Sequence, residues 1–221
     1  MSKGILVWDV PTRVFHWLFA LSFGGAFLTA ESERFNNIHV MLGYTLLGLI
    51  AFRVLWGIVG TQHARFRSFL FKPGELVVYL TSLARGNPLH YAGHNPAGSV
   101  AIWLLLALGI VSGLAGVLLF QNFGGHAMEE LHEALSFAML SVVGVHIAGV
   151  AVSSLMHREN LVRAMITGRK QAKPEESINR AYAWLGVIML AAVVAFWTNY
   201  SATDLAIPGD RASHYRQHDD D

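Results

Sequence analysis

Histidine is the residue through which this chain could do chemistry. Its 221 residues include 11 histidines and no cysteine. A chain without cysteine cannot form disulfides, thiolate metal sites, thioether haem links or cysteine-held iron–sulfur clusters. A metal or cofactor must therefore be bound by histidine, methionine, carboxylate or backbone groups. We find no Ser, His and carboxylate set, no phosphate-binding loop and no zinc motif that would indicate hydrolysis.

Four histidines, His16, His39, His132 and His146, fall within or at the ends of apolar segments. An ionisable side chain in hydrocarbon is costly and by default indicates function. The alternative for any single one is a neutral imidazole bonded to a neighbouring carbonyl or hydroxyl. His132 and His146 are 14 residues apart, so on a helix they share one face and lie about 21 Å apart in depth.

The elements that must position these histidines are membrane helices. The chain is 53% hydrophobic and 14% charged, whereas soluble domains carry roughly a quarter charged residues. Five segments have the approximate length and apolarity of a span: residues 13–30, 38–59, 99–120, 131–156 and 181–200. We therefore predict an all-α integral membrane protein. In the loop after the second span, residues 73–86 favour an interfacial amphipathic helix over a further span.

Loop charges predict the orientation. With a cytoplasmic N-terminus, all of the 16 lysines and arginines except Arg34, Arg53, Arg211 and Arg216 lie on the inner side, as the positive-inside rule requires. This places the C-terminal tail on the outer side of the membrane. The net charge of +1 favours no nucleic-acid partner.

Depth then predicts two histidine pairs. His39 and His132 each open a span from the outside, whereas His16 and His146 lie toward the inside. Two imidazoles from different helices facing across a bundle are what bis-His haem b ligation requires. We therefore predict two non-covalent b haems, an outer one on His39 and His132 and an inner one on His16 and His146.

Nearby residues add to this prediction. Arg53 is 14 residues from His39 and so lies on its face at the inner level, where it and Arg13 could bind haem propionates; the alternative for Arg53 is snorkelling to head groups. Gly43, one turn after His39, would let a porphyrin lie close to the helix. Thr45, Ser112, Ser136 and Ser141 could bond imidazole nitrogens.

The remaining features favour simpler interpretations. The Gly109 and Gly113 pair favours plain helix packing. His63, His90, His94 and His157 in inner loops are expected to be solvated. His126, in the predicted outer loop, is the one competitor for the place of His132.

Several sequence phrases resemble those of the bacterial cytochrome b561 family, close to the b-type cytochrome subunits of nickel–iron hydrogenases. They include VWDVPTRVFHW, IHVMLGYTLLGLIAFRVLWGIVG, GHNPAGS, ELHEALS, GVHIAGV and HRENLVRAMITGRK, and together cover about residues 6–170. The resemblance implies a four-helix bundle with two b haems, whose ligands would be His16, His39, His132 and His146. It also implies electron transfer between a periplasmic or membrane-surface donor and the quinone pool.

The leading hypothesis is therefore a di-haem electron-transfer subunit in residues 1–170, followed by a linker and fifth transmembrane helix in 171–200 and a periplasmic acidic tail in 201–221. Expected partners are membrane lipid, quinone and either a periplasmic c-type cytochrome or a hydrogenase-like protein, and a homodimer stays open. One alternative is a stand-alone quinone oxidoreductase or ferric reductase. The other is a colourless protein that uses histidines as a transport pathway or proton relay.

Overall fold

The chain folds almost entirely into helices. A computed structural model describes the backbone of residues 4–206 and the side chains of residues 4–200. Within that range the helices are α1 (Val10–Thr29), α2 (Asn36–Val59), α3 (Pro73–Ala84), α4 (Pro96–Phe120), α5 (Gly125–Met156), α6 (Leu161–Thr167) and α7 (Ala183–Ala206). One antiparallel pair joins β1 (Ile5–Leu6) to β2 (Arg169–Lys170). The side chains of the predicted acidic tail, residues 201–221, lie outside those described.

The predicted all-α membrane fold is confirmed. Four segments of the described chain are helices long and apolar enough to cross a membrane: Glu33–Val59, Pro96–Phe120, Gly125–Met156 and Ala183–Tyr200. The first predicted span forms α1, whose 20 residues also reach the length of a bilayer core. Arg13 and His16 in its first two turns reduce its hydropathy.

The helices pack as two hairpins and an added helix. The largest contacts are between α4 and α5 and between α1 and α2, while α2 packs on α4 and α7 packs on α1. Along α4, a Cβ on Gly109 would meet Ile50 of α2 and one on Gly113 would meet Leu47. The prediction that these glycines serve helix packing is therefore confirmed, because close approach of α2 needs a bare backbone there.

One end of the bundle, which we call the inner end, is closed by short elements. Strand β1 precedes α1 and pairs with β2, which follows α6. Next to this pair, Val7, Trp8 and Ala164 form a small buried cluster. The predicted amphipathic helix is present as α3, and its buried Tyr79 hydroxyl lies 3.3 Å from the Ser153 hydroxyl of α5.

Helix α5 begins earlier than its predicted span. Gly124 adopts a positive φ of 86°, which glycine tolerates, and the helix then runs unbroken for 32 residues. At 1.5 Å per residue this is about 48 Å, longer than the bilayer core. The prediction that His126 lies in a loop is therefore wrong, because His126 is in the first turn of α5.

Candidate functional site

The structure brings His39 of α2 and His132 of α5 together at the outer end. The centroids of their imidazole rings are 6.1 Å apart, and the ring planes are nearly perpendicular, at 85°. Both side chains are half-buried. The α1–α2 and α4–α5 hairpins are separate units in sequence, so this contact joins two parts of the bundle at one point.

Each of these imidazoles is oriented by a backbone carbonyl. His39 Nδ1 lies 2.8 Å from the Ala26 carbonyl oxygen of α1, and His132 Nδ1 lies 2.9 Å from the Ser112 carbonyl oxygen of α4. A carbonyl can only accept, so both Nδ1 atoms donate, and in the neutral form of each ring the free lone pair is on Nε2. Metal-binding histidines are typically held in this way, by a hydrogen bond from the nitrogen that does not bind the metal.

Of the four hydroxyl residues predicted to reach an imidazole nitrogen, Ser112 is the one that the structure places there. Its hydroxyl lies 3.4 Å from His132 Nδ1 and 3.1 Å from the Ser136 hydroxyl. Ser136 donates instead to the carbonyl of His132 itself. Thr45 and Ser141 donate to carbonyls of their own helices, four residues earlier.

The spacing of the outer pair fits an iron bound between two imidazoles. A metal–nitrogen bond is about 2 Å long, and the imidazole nitrogen is about 1 Å from its ring centre. Two imidazoles that bound one iron through nitrogen would therefore have ring centres about 6 Å apart, close to the 6.1 Å between His39 and His132. No group of three or more His, Cys, Asp or Glu side chains among the described residues could hold a bare metal ion. A porphyrin, which brings four ligands of its own, needs only the pair.

The two glycines beside the outer pair differ in the space around them. A Cβ on Gly43 would meet nothing within 4 Å, whereas one on Gly116 would lie 3.0 Å from His132 Cε1. The space at Gly43 is compatible with a flat ligand beside His39, and its role there stays a prediction. Gly116 lets the His132 ring lie against α4.

His16 and His146 occupy the inner half of the bundle. Both side chains are half-buried, and they are close enough to interact electrostatically. His16 Nδ1 is buried without a hydrogen-bond partner. Among the described residues the two rings make no direct ring contact, unlike the outer pair. The two histidines of the predicted inner pair therefore lie near each other, but their rings are not in the direct contact distance seen for the outer pair.

Arg53 points into the protein. Its side chain is buried, with 3% exposed, and its guanidinium lies over the rings of Phe66 at 5.0 Å and Phe69 at 5.7 Å. Its Nη1 is buried without a hydrogen-bond partner. The alternative of snorkelling to head groups is therefore wrong. Such an orphaned cationic donor fits a propionate.

Arg13 has a partner within the chain. Its guanidinium donates to the carbonyl of Ile166, so it ties α1 to α6 at the inner end. Its Nε is buried without a partner. Of the two predicted propionate donors, Arg53 is the one with a terminal guanidinium nitrogen that is buried and has no hydrogen-bond partner.

Two loop histidines that were predicted to be solvated are packed into the protein: His63 is buried, and His94 is half-buried with its Nδ1 enclosed. His94 lies between the rings of Trp8 and Phe69, at centroid distances of 4.6 and 4.7 Å. Burial lowers its pKa well below the ordinary value, and the positive charges of Arg53 and Lys170 add to that effect. The expectation of solvation is also wrong for His63, which is 7% exposed and donates from Nε2 to the Glu176 carbonyl at 2.7 Å.

These two histidines line a cavity at the inner end. Its volume is about 380 Å³, and its wall also includes Gln62, His90 and Tyr91. The sequence signal for His94 was its position directly before Asn95, whose side chain caps α4 by accepting from Gly98 N at 2.7 Å. A residue next to a helix cap is held in place, whereas a residue inside a free loop is not.

His126, the competitor for His132, faces solvent. Its side chain is 80% exposed and lies near Glu129 and Glu130 of its own helix, at 3.5 and 3.3 Å. It makes no contact with His39 among the described residues. The geometry therefore favours His132.

The comparisons with known proteins agree with this architecture. Residues 7–168 match the family model described as prokaryotic cytochrome b561. Three similar proteins are each named probable Ni/Fe-hydrogenase B-type cytochrome subunit. The one from Rhizobium leguminosarum bv. viciae is 24% identical over 79% of this chain and 92% of its own. The one from Bradyrhizobium diazoefficiens is 24% identical over 76% and 86%, and the one from Rhodobacter capsulatus is 24% identical over 77% and 83%.

No solved structure matches the chain. The family match covers α1 to α6 and ends before α7. It also contains all four of the histidines discussed above. The chain belongs to the prokaryotic cytochrome b561 family and is a multi-pass membrane cytochrome of the b type that takes part in electron transfer.

Proposed function

We propose that this protein carries single electrons across the membrane through two b haems, between a periplasmic or membrane-surface redox partner and the quinone pool. The observation that carries the proposal is the outer pair. The ring centres of His39 and His132 are 6.1 Å apart, close to the separation expected for two imidazoles that bind one metal ion. Both Nδ1 atoms donate to carbonyls, which leaves each Nε2 lone pair for iron.

The proposed ligands of the inner haem are His16 and His146, which are half-buried and close enough to interact electrostatically. The residues around them suit an anionic macrocycle. Arg53 would bind a propionate through Nη1, which is buried and unpaired. The two levels are set by α5, which carries His132 and His146 on one face about 21 Å apart.

The chain's own residues hold, orient and insulate the redox groups. Haem supplies an iron that accepts and releases one electron. The helices half-bury the proposed ligands, and the carbonyls of Ala26 and Ser112 hold the His39 and His132 rings in place through Nδ1, which would limit their movement when the charge of a bound haem changes. We assign no self-contained catalytic residue, in keeping with an electron-transfer subunit.

The inner end has a feature that suits a quinone acceptor. Reduction of a quinone takes up protons as well as electrons, and the cavity lined by His63, His90 and His94 offers polar groups at that end. Membrane lipid and a hydrogenase-like or c-type cytochrome partner complete the proposed setting. The hydrogenase partner is suggested by the names of the relatives.

The first experiment is haem stoichiometry on detergent-purified protein, by pyridine haemochrome assay with reduced-minus-oxidised spectra. We expect two haems per chain. His132→Ala and His39→Ala should each remove the same haem and spare the other, while His126→Ala, an exposed histidine of the same helix, should remove none. Two haems retained in both ligand variants would refute the outer assignment.

Other outcomes separate the alternatives. A folded protein without haem would favour the transport or relay alternative. Quinol oxidation or ferric reduction by the purified chain, with no partner protein added, would favour the stand-alone enzyme.

A further inference from the structure

Asp9 is a buried carboxylate that the ligand set leaves unexplained. It precedes α1, and its side chain is 1% exposed. Oδ1 accepts from Thr12 N at 2.7 Å, and Oδ2 accepts from Trp56 Nε1 at 3.1 Å and from the Thr61 hydroxyl at 2.5 Å. A buried charge is tolerated when it is hydrogen-bonded in this way. Asp9 therefore joins the start of α1 to the end of α2.

The same carboxylate acts electrostatically on the two arginines of the inner end. It is close enough to Arg53 and Arg13 to interact with both through its charge. Among the described residues, however, no ion pair joins Asp9 to either one. The carboxylate is occupied by its three donors, and Arg53 Nη1 stays without a partner.

This arrangement separates two roles that a salt bridge would combine. A direct pair would occupy donors of Arg53 and neutralise its charge, which would weaken its attraction for another anion. Here the charge of Asp9 makes burial of Arg53 less costly from a distance, while the guanidinium keeps a free donor. Asp9 thus supplies a fixed negative charge, while Arg53 keeps an unpaired N–H donor for another anion.

We propose that Asp9 is a positioning residue for the inner haem, which orients the first turn of α1 ahead of His16 and supplies a fixed negative charge that lowers the reduction potential of that haem. The inference rests on the proposed inner haem. A nearby anion stabilises the ferric state relative to the ferrous state. His16 lies seven residues after Asp9, or about 10 Å along the helix.

The size of the effect follows from that distance. One charge acting over about 10 Å at an effective dielectric constant of 20 changes the equilibrium for reduction on the order of tenfold. For a one-electron couple, tenfold corresponds to about 59 mV. The outer haem, on the order of 20 Å farther along the bundle, should be affected much less.

The test is an optical redox titration of purified haem-loaded protein at pH 8. Asp9→Asn keeps the size of the side chain and can still accept from Thr12 N, but it removes the charge. We expect the midpoint potential of the inner haem to rise by about 59 mV, which is a tenfold change in its reduction equilibrium, and the outer midpoint potential to change much less. The two midpoints are assigned with His16→Ala and His132→Ala.

A second variant keeps the inference testable if Asp9→Asn does not bind haem. Thr61→Val removes one hydrogen-bond donor to Asp9 Oδ2 without changing a formal charge. The negative charge of the carboxylate is then less offset by hydrogen-bond donors and acts more strongly on the haem. We expect a smaller shift of the inner midpoint in the opposite direction, downward. Unchanged midpoints in the variants that retain haem would overturn the inference. If the wild-type protein holds no inner haem, the proposed function fails instead, which the haem stoichiometry shows independently.

Discussion

The sharpest perturbation of the outer site is the addition of a single methyl group at Gly116. The His132 ring lies against this glycine, and a Cβ there would stand 3.0 Å from Cε1 and 3.2 Å from Nδ1. Ordinary van der Waals contact between carbon atoms needs about 3.5 Å or more. Gly116→Ala must therefore push the ring by about half an ångström or force α4 and α5 apart.

The expected magnitude comes from the hydrogen bond that this movement stretches. His132 Nδ1 donates to the Ser112 carbonyl at 2.9 Å, the same carbonyl that the Gly116 amide reaches in a regular helix. A shift of half an ångström takes the bond to the limit of hydrogen-bond distance. Loss of such an orienting bond typically weakens metal binding 10- to 100-fold, which is about 1.4 to 2.7 kcal/mol.

The assay is haem retention during dilution in detergent, followed by the reduced-minus-oxidised spectrum of each haem. The matched control is Gly48→Ala on α2, an exposed glycine where a new Cβ would meet nothing within 4 Å. We expect Gly116→Ala to lose the outer haem selectively and Gly48→Ala to retain both haems. Equal behaviour of the two variants would refute the reasoning, because the effect would then not come from the contact with the His132 ring.

Three further outcomes are expected. His16→Ala should remove the inner haem spectrum and leave the outer one, and loss of both or neither would contradict the separation into two levels. Because His94 has a pKa well below its ordinary value, the unfolded chain takes up a proton below about pH 6.5 that the folded chain does not. Stability should therefore fall with decreasing pH by at most about 1.4 kcal/mol per pH unit, and denaturation of His94→Asn should lack this component of the slope. Tyr79→Phe removes the 3.3 Å contact with Ser153 and should lower the free energy of unfolding by about 0.5 to 1.5 kcal/mol, measured by chemical denaturation, while haem content stays unchanged.

The outer site could be predicted from the sequence because it depends on helix periodicity. Residues 14 positions apart share a face on any helix, so His132 and His146, and likewise His39 and Arg53, are aligned before any packing is known. The depth of each span then selects which histidines face each other. The structure places His39 against His132 and buries Arg53, as this reasoning requires.

The inner end could not be predicted in the same way, because its contacts join distant segments that have no common period. The Trp8 ring reaches His94, and Asp9 accepts from Trp56 and Thr61. His94 lies in a polar loop, so its neighbours in sequence alone predict that it is solvated. Its burial is a consequence of tertiary packing.

The pairing of β1 with β2 constrains the order of assembly during synthesis. Gly4 and Arg169, which are hydrogen-bonded at this pair, are separated by 165 positions. At about 5 to 20 residues per second, the N-terminal segment is made roughly 10 to 30 s before its partner strand. During that interval β1 has no partner strand, so the inner end is not yet closed. A cofactor can therefore reach that end before β1 and β2 join, and removing residues 4–6 should change how quickly the protein matures more than what it finally binds.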